Sequence, residues 1–324
     1  MQRFALGLLY IVSIWVSAVA VASSPGIMPG SIEDAYLFCS EEESGNLQLL
    51  GRGTIANVYL AKEKGSDRDV AIRNIEKKQN GSEIFATWIK RERDVLRLQQ
   101  SLRHAHILPI LALYESDDRL DAVLPYMGGG DLLGLLERLP HGRMPERNAR
   151  EYWPPILAGL KYLHDHGIIH RDIKPENILL RNDYTPEGVM IADFDFATQA
   201  VRVFPGEGRL GTFAYMAPEI HFDQPYDKTV DIWAVTVTLY VLVTGCFPFG
   251  ALGTSDAPTV EERATLRREK NRLKTGRYHT GPVLSTLSDE IKCLFVLVFM
   301  SHIVHQPRLT CDQLLDLSYF SPKI

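Results

Sequence analysis

Alternating apolar and polar residues broken by turn residues occupy positions 47–76 (LQLLGRGTIANVYLAKEKGSDRDVAIRNIE), which predicts three short strands joined by two turns. The next patterned segment, 83–102, carries apolar residues at Ile84, Trp88, Val95 and Leu98 with charges opposite, the signature of an amphipathic helix. A further strand pair and three glycines at 128–130 follow. From Asp131 onward the period is helical: DLLGLLERL at 131–139, AREYWPPILAGLKYLHDHG at 149–167 and the largely apolar VDIWAVTVTLYVLVTG at 230–245. An α+β chain is therefore expected, with a β-rich lobe over 47–125 and a helical lobe over 126–324. The stretch EERATLRREKNRLKTGR at 261–277 holds seven basic residues against three acidic ones, which reads either as an anionic docking patch or as a solvated helix face.

Residues 1–22 start with Arg3, run apolar from Phe4 and end in Ala18, Ala20 and Ala22, the pattern of a secretory signal peptide with A-x-A cleavage options. Left in place, the same run is just long enough to span a bilayer, so a membrane enters as a partner only if the segment is uncleaved. The small residues at its end favour cleavage, leaving an extension over 23–46 and placing the chain in the secretory pathway, secreted or luminal in a secretory organelle. In an oxidising lumen Cys246, Cys293 and Cys311 are candidates for a bridge, and Asn80-Gly81-Ser82 is either a glycan acceptor or a polar turn. Hydrophobic residues at 45% and charged residues at 23% exclude a disordered or collagenous chain. A net charge of −5 gives no overall drive toward nucleic acid, so any anion site is local. Four cysteines with no CxxC pair argue against a structural zinc.

Four separated motifs carry the chemistry. GRGTIANV at 51–58 is a glycine-rich turn whose backbone can approach phosphates because Gly51 and Gly53 lack side chains. HRDIKPEN at 170–177 places a carboxylate, an ammonium and an amide within eight residues, the set that orients a hydroxyl, balances a transferring phosphate and holds a metal. DFD at 193–195 follows the apolar VMIA and offers a second hard oxygen ligand for Mg²⁺. GTFAYMAPE follows at 211–219.

In this order the motifs resemble the eukaryotic protein kinase family, Ser/Thr type, over residues 47–321, which implies the two-lobed kinase fold, ATP and Mg²⁺ as cofactors and a protein as substrate or partner. By that resemblance Asp172 is the catalytic base, Asn177 and Asp193 are the Mg²⁺ ligands, and Lys174 stabilises the transferring phosphoryl group. The resemblance also puts Leu124 at the gatekeeper position and Pro125, Tyr126 and Met127 at the hinge. The Pro125 carbonyl and Met127 N–H are then the adenine partners; Val58, Ala71 and Leu179 sandwich the base, and Asp131 takes a ribose hydroxyl. Glu219 and Arg308 resemble the buried ion pair that braces the helical lobe.

The sequence departs from the family at several positions. Arg73, in VAIR, stands where the family has the lysine that clasps the α- and β-phosphates and pairs with a helix glutamate, here Glu92. Loss of one preorganised donor of that kind costs about 3 kcal/mol, ~10² to 10³ in rate. Asp195 replaces the glycine of DFG and adds a second carboxylate beside Asp193; Ala56 and Thr236 replace two further family glycines. Arg171 resembles the arginine that meets an activation-loop phosphate, yet 200–209 holds no Ser, Thr or Tyr, so Glu207 is either its permanent anionic partner or an exposed loop glutamate. Two functions follow: a Ser/Thr kinase of the secretory pathway, favoured by Asp172, Asn177 and Asp193, or a catalytically impaired pseudokinase scaffold, favoured by Arg73 and Asp195. The leader combined with arginine at the lysine position also resembles the rhoptry-type secreted kinases and pseudokinases.

Overall fold

The computed structural model describes residues 26–41, 45–53, 56–77, 83–181, 185–205, 210–252, 259–317 and 319. The leader at 1–22, the sequon at 80–82 and Glu207 lie outside the described residues. The chain forms two compact units, divided between Gly128 and Gly129.

In the first unit the three strands expected over 47–76 are β2 (Leu49–Arg52), β3 (Asn57–Glu63) and β4 (Asp69–Glu76), with the later pair β5 (Ala112–Glu115) and β6 (Arg119–Pro125). They form an antiparallel sheet in the order β3-β4-β6-β5. One edge of β3 is shared: β2 pairs with its first half and β1 (Tyr36–Phe38) with its second. Nothing in the sequence reading anticipated β1 or the helical turn α1 (Ile32–Ala35) before it. Their reason is burial.

Directly opposed residues of an antiparallel pair point to the same side of the sheet. Ala71 lies opposite Leu60 and Leu124, and Arg73 opposite Val58 and Ala122, so these six share one face. Val70, Ile72, Ala61 and Val123 form the other face, and there Ile32 and Tyr36 of the extension close a core with Ala112 and Tyr114. The Tyr36 and Tyr114 rings meet edge to face at 6.1 Å. A Glu33–Arg119 salt bridge and the Met28 N–H donating to the Leu113 carbonyl at 2.7 Å fix the path of the extension.

The helix α2 (Glu83–Ser101) has close to the expected extent, and Val95 of the expected stripe is buried together with Ile89, Glu92, Leu96, Gln99 and Gln100, while Trp88 and Leu98 are half-buried. The apolar stripe read from sequence is rotated because Glu92 must face inward to reach Arg73. Arg93 and Lys77 both pair with Glu115 and tie α2 and the end of β4 to β5.

In the second unit a two-residue strand β7 (Gly130–Asp131) leads into α3 (Leu132–Arg138) and α4 (Glu146–Asp165). The strand β8 (Ile168–Ile169) pairs with β11 (Thr198–Gln199), while β9 (Ile178–Leu180) pairs with β10 (Val189–Ile191) and β7. The loop 170–177 is thus held at both ends by short antiparallel pairs.

After the helical turn α5 (Pro218–His221) comes α6 (Thr229–Thr244), buried at every position after Thr229 and apolar all round, as a helix in the middle of a core must be. Thr236, Thr238 and Thr244 hide their hydroxyls by donating to carbonyls four residues back at 2.7–2.9 Å. The helices α7 (Val260–Thr275), α8 (Pro282–Thr286), α9 (Asp289–Phe299) and α10 (Cys311–Leu315) follow; α4 and α9 pack against α6 and α10 packs on α4, with Trp233 stacked on Phe249 and beside Phe299. Among the described residues no helix is long and apolar enough to cross a membrane.

All four cysteines are free thiols, so the bridge considered among Cys246, Cys293 and Cys311 is not formed. Cys311 is buried with its Sγ 3.8 Å from His164 Nδ1, and burial, reinforced by the carboxylates of Asp231 and Asp312, pushes its thiol up to about 12.

The one charge in the first turn of α6 is Asp231, fully buried. Its carboxylate accepts from the His170 N–H (2.9 Å), the Arg171 N–H (2.8 Å) and His164 Nε2 (3.0 Å). Burial alone would raise its pKa, but the His164 contact and the facing backbone donors outweigh burial and hold it below the ordinary carboxylate value.

Three outcomes are expected. Ile32→Ala is expected to destabilise the chain by about 2–5 kcal/mol in urea unfolding, and an unchanged midpoint would show that the extension is not part of the core. Asp231→Ala, which strands two buried N–H donors, is expected to cost about 3–5 kcal/mol. A group with a depressed folded pKa stabilises above its unfolded value of ~4 and loses that contribution as pH falls through the lower folded value. Thermal unfolding of Asp231→Asn should therefore depend less on pH below ~4 than that of wild type, and parallel curves would contradict the assignment.

Candidate active site

The loop between β8 and β9 enters on two backbone N–H groups fixed by Asp231, which hold Arg171 in the left-handed region at φ 68°. That conformation is uncommon for a residue with a side chain, and the paired hydrogen bonds are what enforce it. The His170 imidazole reaches the Ala192 carbonyl at 3.1 Å and packs on the buried Phe194 ring at 5.0 Å, which joins the loop to the end of β10.

Asp172, 3% exposed, is held from three directions. Its Oδ1 accepts from the Thr212 N–H at 2.8 Å. Its Oδ2 accepts from Asn177 Nδ2 at 3.0 Å and lies 2.9 Å from Lys174 Nζ. Lys174 Nζ also donates to Thr212 Oγ1 at 2.8 Å, so Thr212 holds both the carboxylate and the ammonium. Gly211 makes this approach possible: at φ 108°, a Cβ there would stand 2.4 Å from the Arg171 carbonyl oxygen. The burial of Tyr215 beside the Glu176 and Asp172 carboxylates pushes its phenol well above the ordinary value, so it stays protonated.

The residues expected to hold Mg²⁺ fit a hard cation. Asn177 spends its Nδ2 on the Asp172 carbonyl (2.8 Å) and carboxylate, which turns its Oδ1 to the ligand side. The Ala192 N–H donates to the Asn177 carbonyl at 2.9 Å, and the next residue, Asp193, is exposed at φ 61°. One carboxylate and one amide oxygen, on residues tied together through that backbone bond, are the kind of hard donors Mg²⁺ takes while keeping several waters. Asp195 does not strain the turn: the left-handed residue is Asp193, and the Asp195 N–H donates to Asp193 Oδ1 at 3.3 Å. The glycine normally expected at 195 is not required by the backbone here.

In the first unit Arg73 Nη1 lies 3.0 Å from Glu92 Oε2, both side chains largely buried, in a contact that is Coulombic and not an aligned hydrogen bond. Val58 and Ala71 share the Arg73 face of the sheet, with Leu124 opposite Ala71. Pro125 closes the register of β6 opposite Val70, and Met127 is buried. Gly51 lies opposite Val58 with open space where a Cβ would be, and the Gly53 N–H donates to the Ala56 carbonyl at 2.8 Å.

In the second unit Asp131 and Leu179 face each other across β7 and β9. Asp131 Oδ1 accepts from the Gly134 N–H at 2.7 Å, so this residue also caps α3. Glu219 and Arg308 form a bidentate pair, with Arg308 stacked 5.0 Å over Trp233 and donating to the Thr229 carbonyl, a brace between α5, α6 and the segment before α10. Arg171 donates through Nε to the Phe196 carbonyl and through Nη1 to the Tyr226 hydroxyl, neither of them a carboxylate.

Sequence reasoning missed Thr212, Asp231 and His164. Each left a signal: Thr212 sits inside a quoted motif, and a carboxylate heading an otherwise apolar helix needs a buried partner.

Comparison with known proteins agrees with this geometry. Residues 45–320 match the protein kinase domain. Serine/threonine-protein kinase ATG1a of Arabidopsis thaliana is 35% identical over 200 residues, covering 62% of this chain and 31% of that protein. Serine/threonine-protein kinase cds1 of Schizosaccharomyces pombe is 36% identical over 230 residues (66% and 47%), and CBL-interacting protein kinase 4 of Oryza sativa is 36% identical over 215 (64% and 46%). The matched region spans less than half the length of each of these relatives. With residues 45–320, most of this chain, matching the protein kinase domain, the chain belongs to the protein kinase family.

Proposed function

We propose that this chain is a serine/threonine protein kinase that transfers the γ-phosphoryl group of Mg·ATP to a hydroxyl of a protein substrate. The observation that carries the reading is the Asp172 carboxylate held by the Thr212 N–H and Asn177 with the Lys174 ammonium 2.9 Å away. Asp172 is positioned to accept the substrate hydroxyl proton as the oxygen bonds to phosphorus and ADP leaves, while Lys174 offsets charge on the transferred group. Mg²⁺, when bound, neutralises the phosphate oxygens. Asn177 Oδ1 and Asp193 would supply its protein ligands, and Thr212, bonded to both Asp172 and Lys174, fixes that pair in place.

Arg73 keeps its pairing with Glu92 and so keeps a cation on the face that carries Val58 and Ala71. Its planar fork is a poorer match for a tight phosphate contact than an ammonium, which supports a slow enzyme. A second reading, a nucleotide-binding pseudokinase, is favoured by Arg73 and by the Asp195 carboxylate beside Asp193. The apolar leader supports a location in the secretory pathway.

The two readings separate in a transfer assay with γ-labelled ATP and a generic basic protein. Wild type is expected to transfer label, Asp172→Asn to fall at least ~10³-fold, and Arg73→Lys to rise ~10²-fold. No transfer by wild type or by Arg73→Lys would replace the kinase reading with the scaffold.

A further inference from the structure

Two exposed features of the second unit, one apolar and one basic, are continuous. On α9 and the turn after it Val296, Leu297 and Val304 are 47%, 44% and 55% exposed, an aliphatic row on the outward side of a helix whose inward side, Ile291, Leu294, Phe295 and Val298, is buried. On α7 Arg263, Arg267, Lys270 and Lys274 recur at spacings of four, three and four, a stripe along one side of the helix, and Arg277 extends it. None of these five basic residues forms a salt bridge among the described residues.

The two rows meet where α7 ends. A Cβ at Gly276 would stand 2.5 Å from Met300 Sδ and 3.2 Å from Ile303 Cγ1, and the Leu273 carbonyl accepts from His302 Nε2 at 3.0 Å. Lys274 and Arg277 flank that contact, and both are exposed.

We propose that this face is a docking surface for an anionic lipid bilayer. The aliphatic side chains stand on the crest of a helix and do not line a groove, and a peptide helix needs a groove to bury its apolar side. A bilayer needs only protruding aliphatics with cations beside them, the aliphatics entering the headgroup boundary and the cations meeting lipid phosphate and carboxylate. Charge complementarity is local, since the whole chain carries −5 while 261–277 holds seven basic residues against three acidic ones. None of the residues of this surface belongs to the catalytic loop.

The test is sedimentation of the full chain with sucrose-loaded vesicles of phosphatidylcholine alone or with 30% phosphatidylserine. The apolar leader, with Arg3 and the N-terminal amine, is the same in wild type and variants, so the difference between them reports the proposed face. Wild type is expected to partition at least tenfold better onto the anionic vesicles at ~0.1 M salt, an advantage that disappears at high salt. The double variant Lys274→Glu/Arg277→Glu should abolish the preference, and Leu297→Asp should weaken binding to anionic vesicles at least fivefold, both with melting temperatures near wild type. Equal partition onto the two vesicles, or a preference that survives both variants, overturns the proposal. So does capture of polyglutamate, requiring the same residues, without vesicle binding, which would make the partner an acidic polypeptide.

Discussion

The chemistry of this protein depends on one buried carboxylate. Asp231, at the head of a helix with no other charge, accepts the backbone N–H groups of His170 and Arg171 and so bends the chain into a conformation that residues with side chains avoid. Everything downstream in the loop is referenced to that bend: Asp172 next to it, Lys174 two residues on, and Asn177 reaching back to Asp172. A buried charge is costly unless its partners are complete, and here His164 and two peptide donors complete them. The helix that carries Asp231 is in turn fixed by the Trp233 cluster and by the Arg308–Glu219 pair stacked on it.

The departures from the family fall unevenly on this frame. Asp195 sits where the backbone is unstrained, so the extra carboxylate changes charge near Asp193 without changing the fold of the turn. Arg73 preserves the ion pair with Glu92 but replaces a compact ammonium with a fork, a change that weighs on phosphate contact more than on architecture. The proton and metal residues are untouched. That distribution supports the proposed slow enzyme, because catalysis depends on donors aimed at developing charge, and only one of them is altered.

Much of this was legible in the sequence for identifiable reasons. The strands over 47–76 and the helix over 83–101 follow from period and turn residues, and the motif order located Asp172, Asn177 and Asp193. What escaped has a physical explanation too. The strand Tyr36–Phe38 is only three residues long and exists because Tyr36 and Ile32 find a hydrophobic face on β3, β4 and β6, a tertiary effect with no local signature. The buried side of α2 was read only in part, with Val95 buried as expected but Trp88 and Leu98 half-buried, because a charged residue, Glu92, faces inward, against the rule that charges mark the outside. Thr212 lies forty residues from Asp172, and a backbone N–H donor leaves no trace in composition. Arg171 found the Phe196 carbonyl and the Tyr226 hydroxyl because oxygens from two separate segments converge on it, which spacing along the chain does not reveal.

The central claim is that the second unit presents metal ligands and a base in working order while Arg73 alone limits the rate. The most direct test is a thermal-shift titration with ATP in the presence and absence of Mg²⁺, for wild type, Asp172→Asn and Asp193→Ala. Stabilisation that requires Mg²⁺, persists in Asp172→Asn and is lost in Asp193→Ala is the result this account predicts. No stabilisation of wild type, or a shift indifferent to Mg²⁺ and to Asp193, would contradict it.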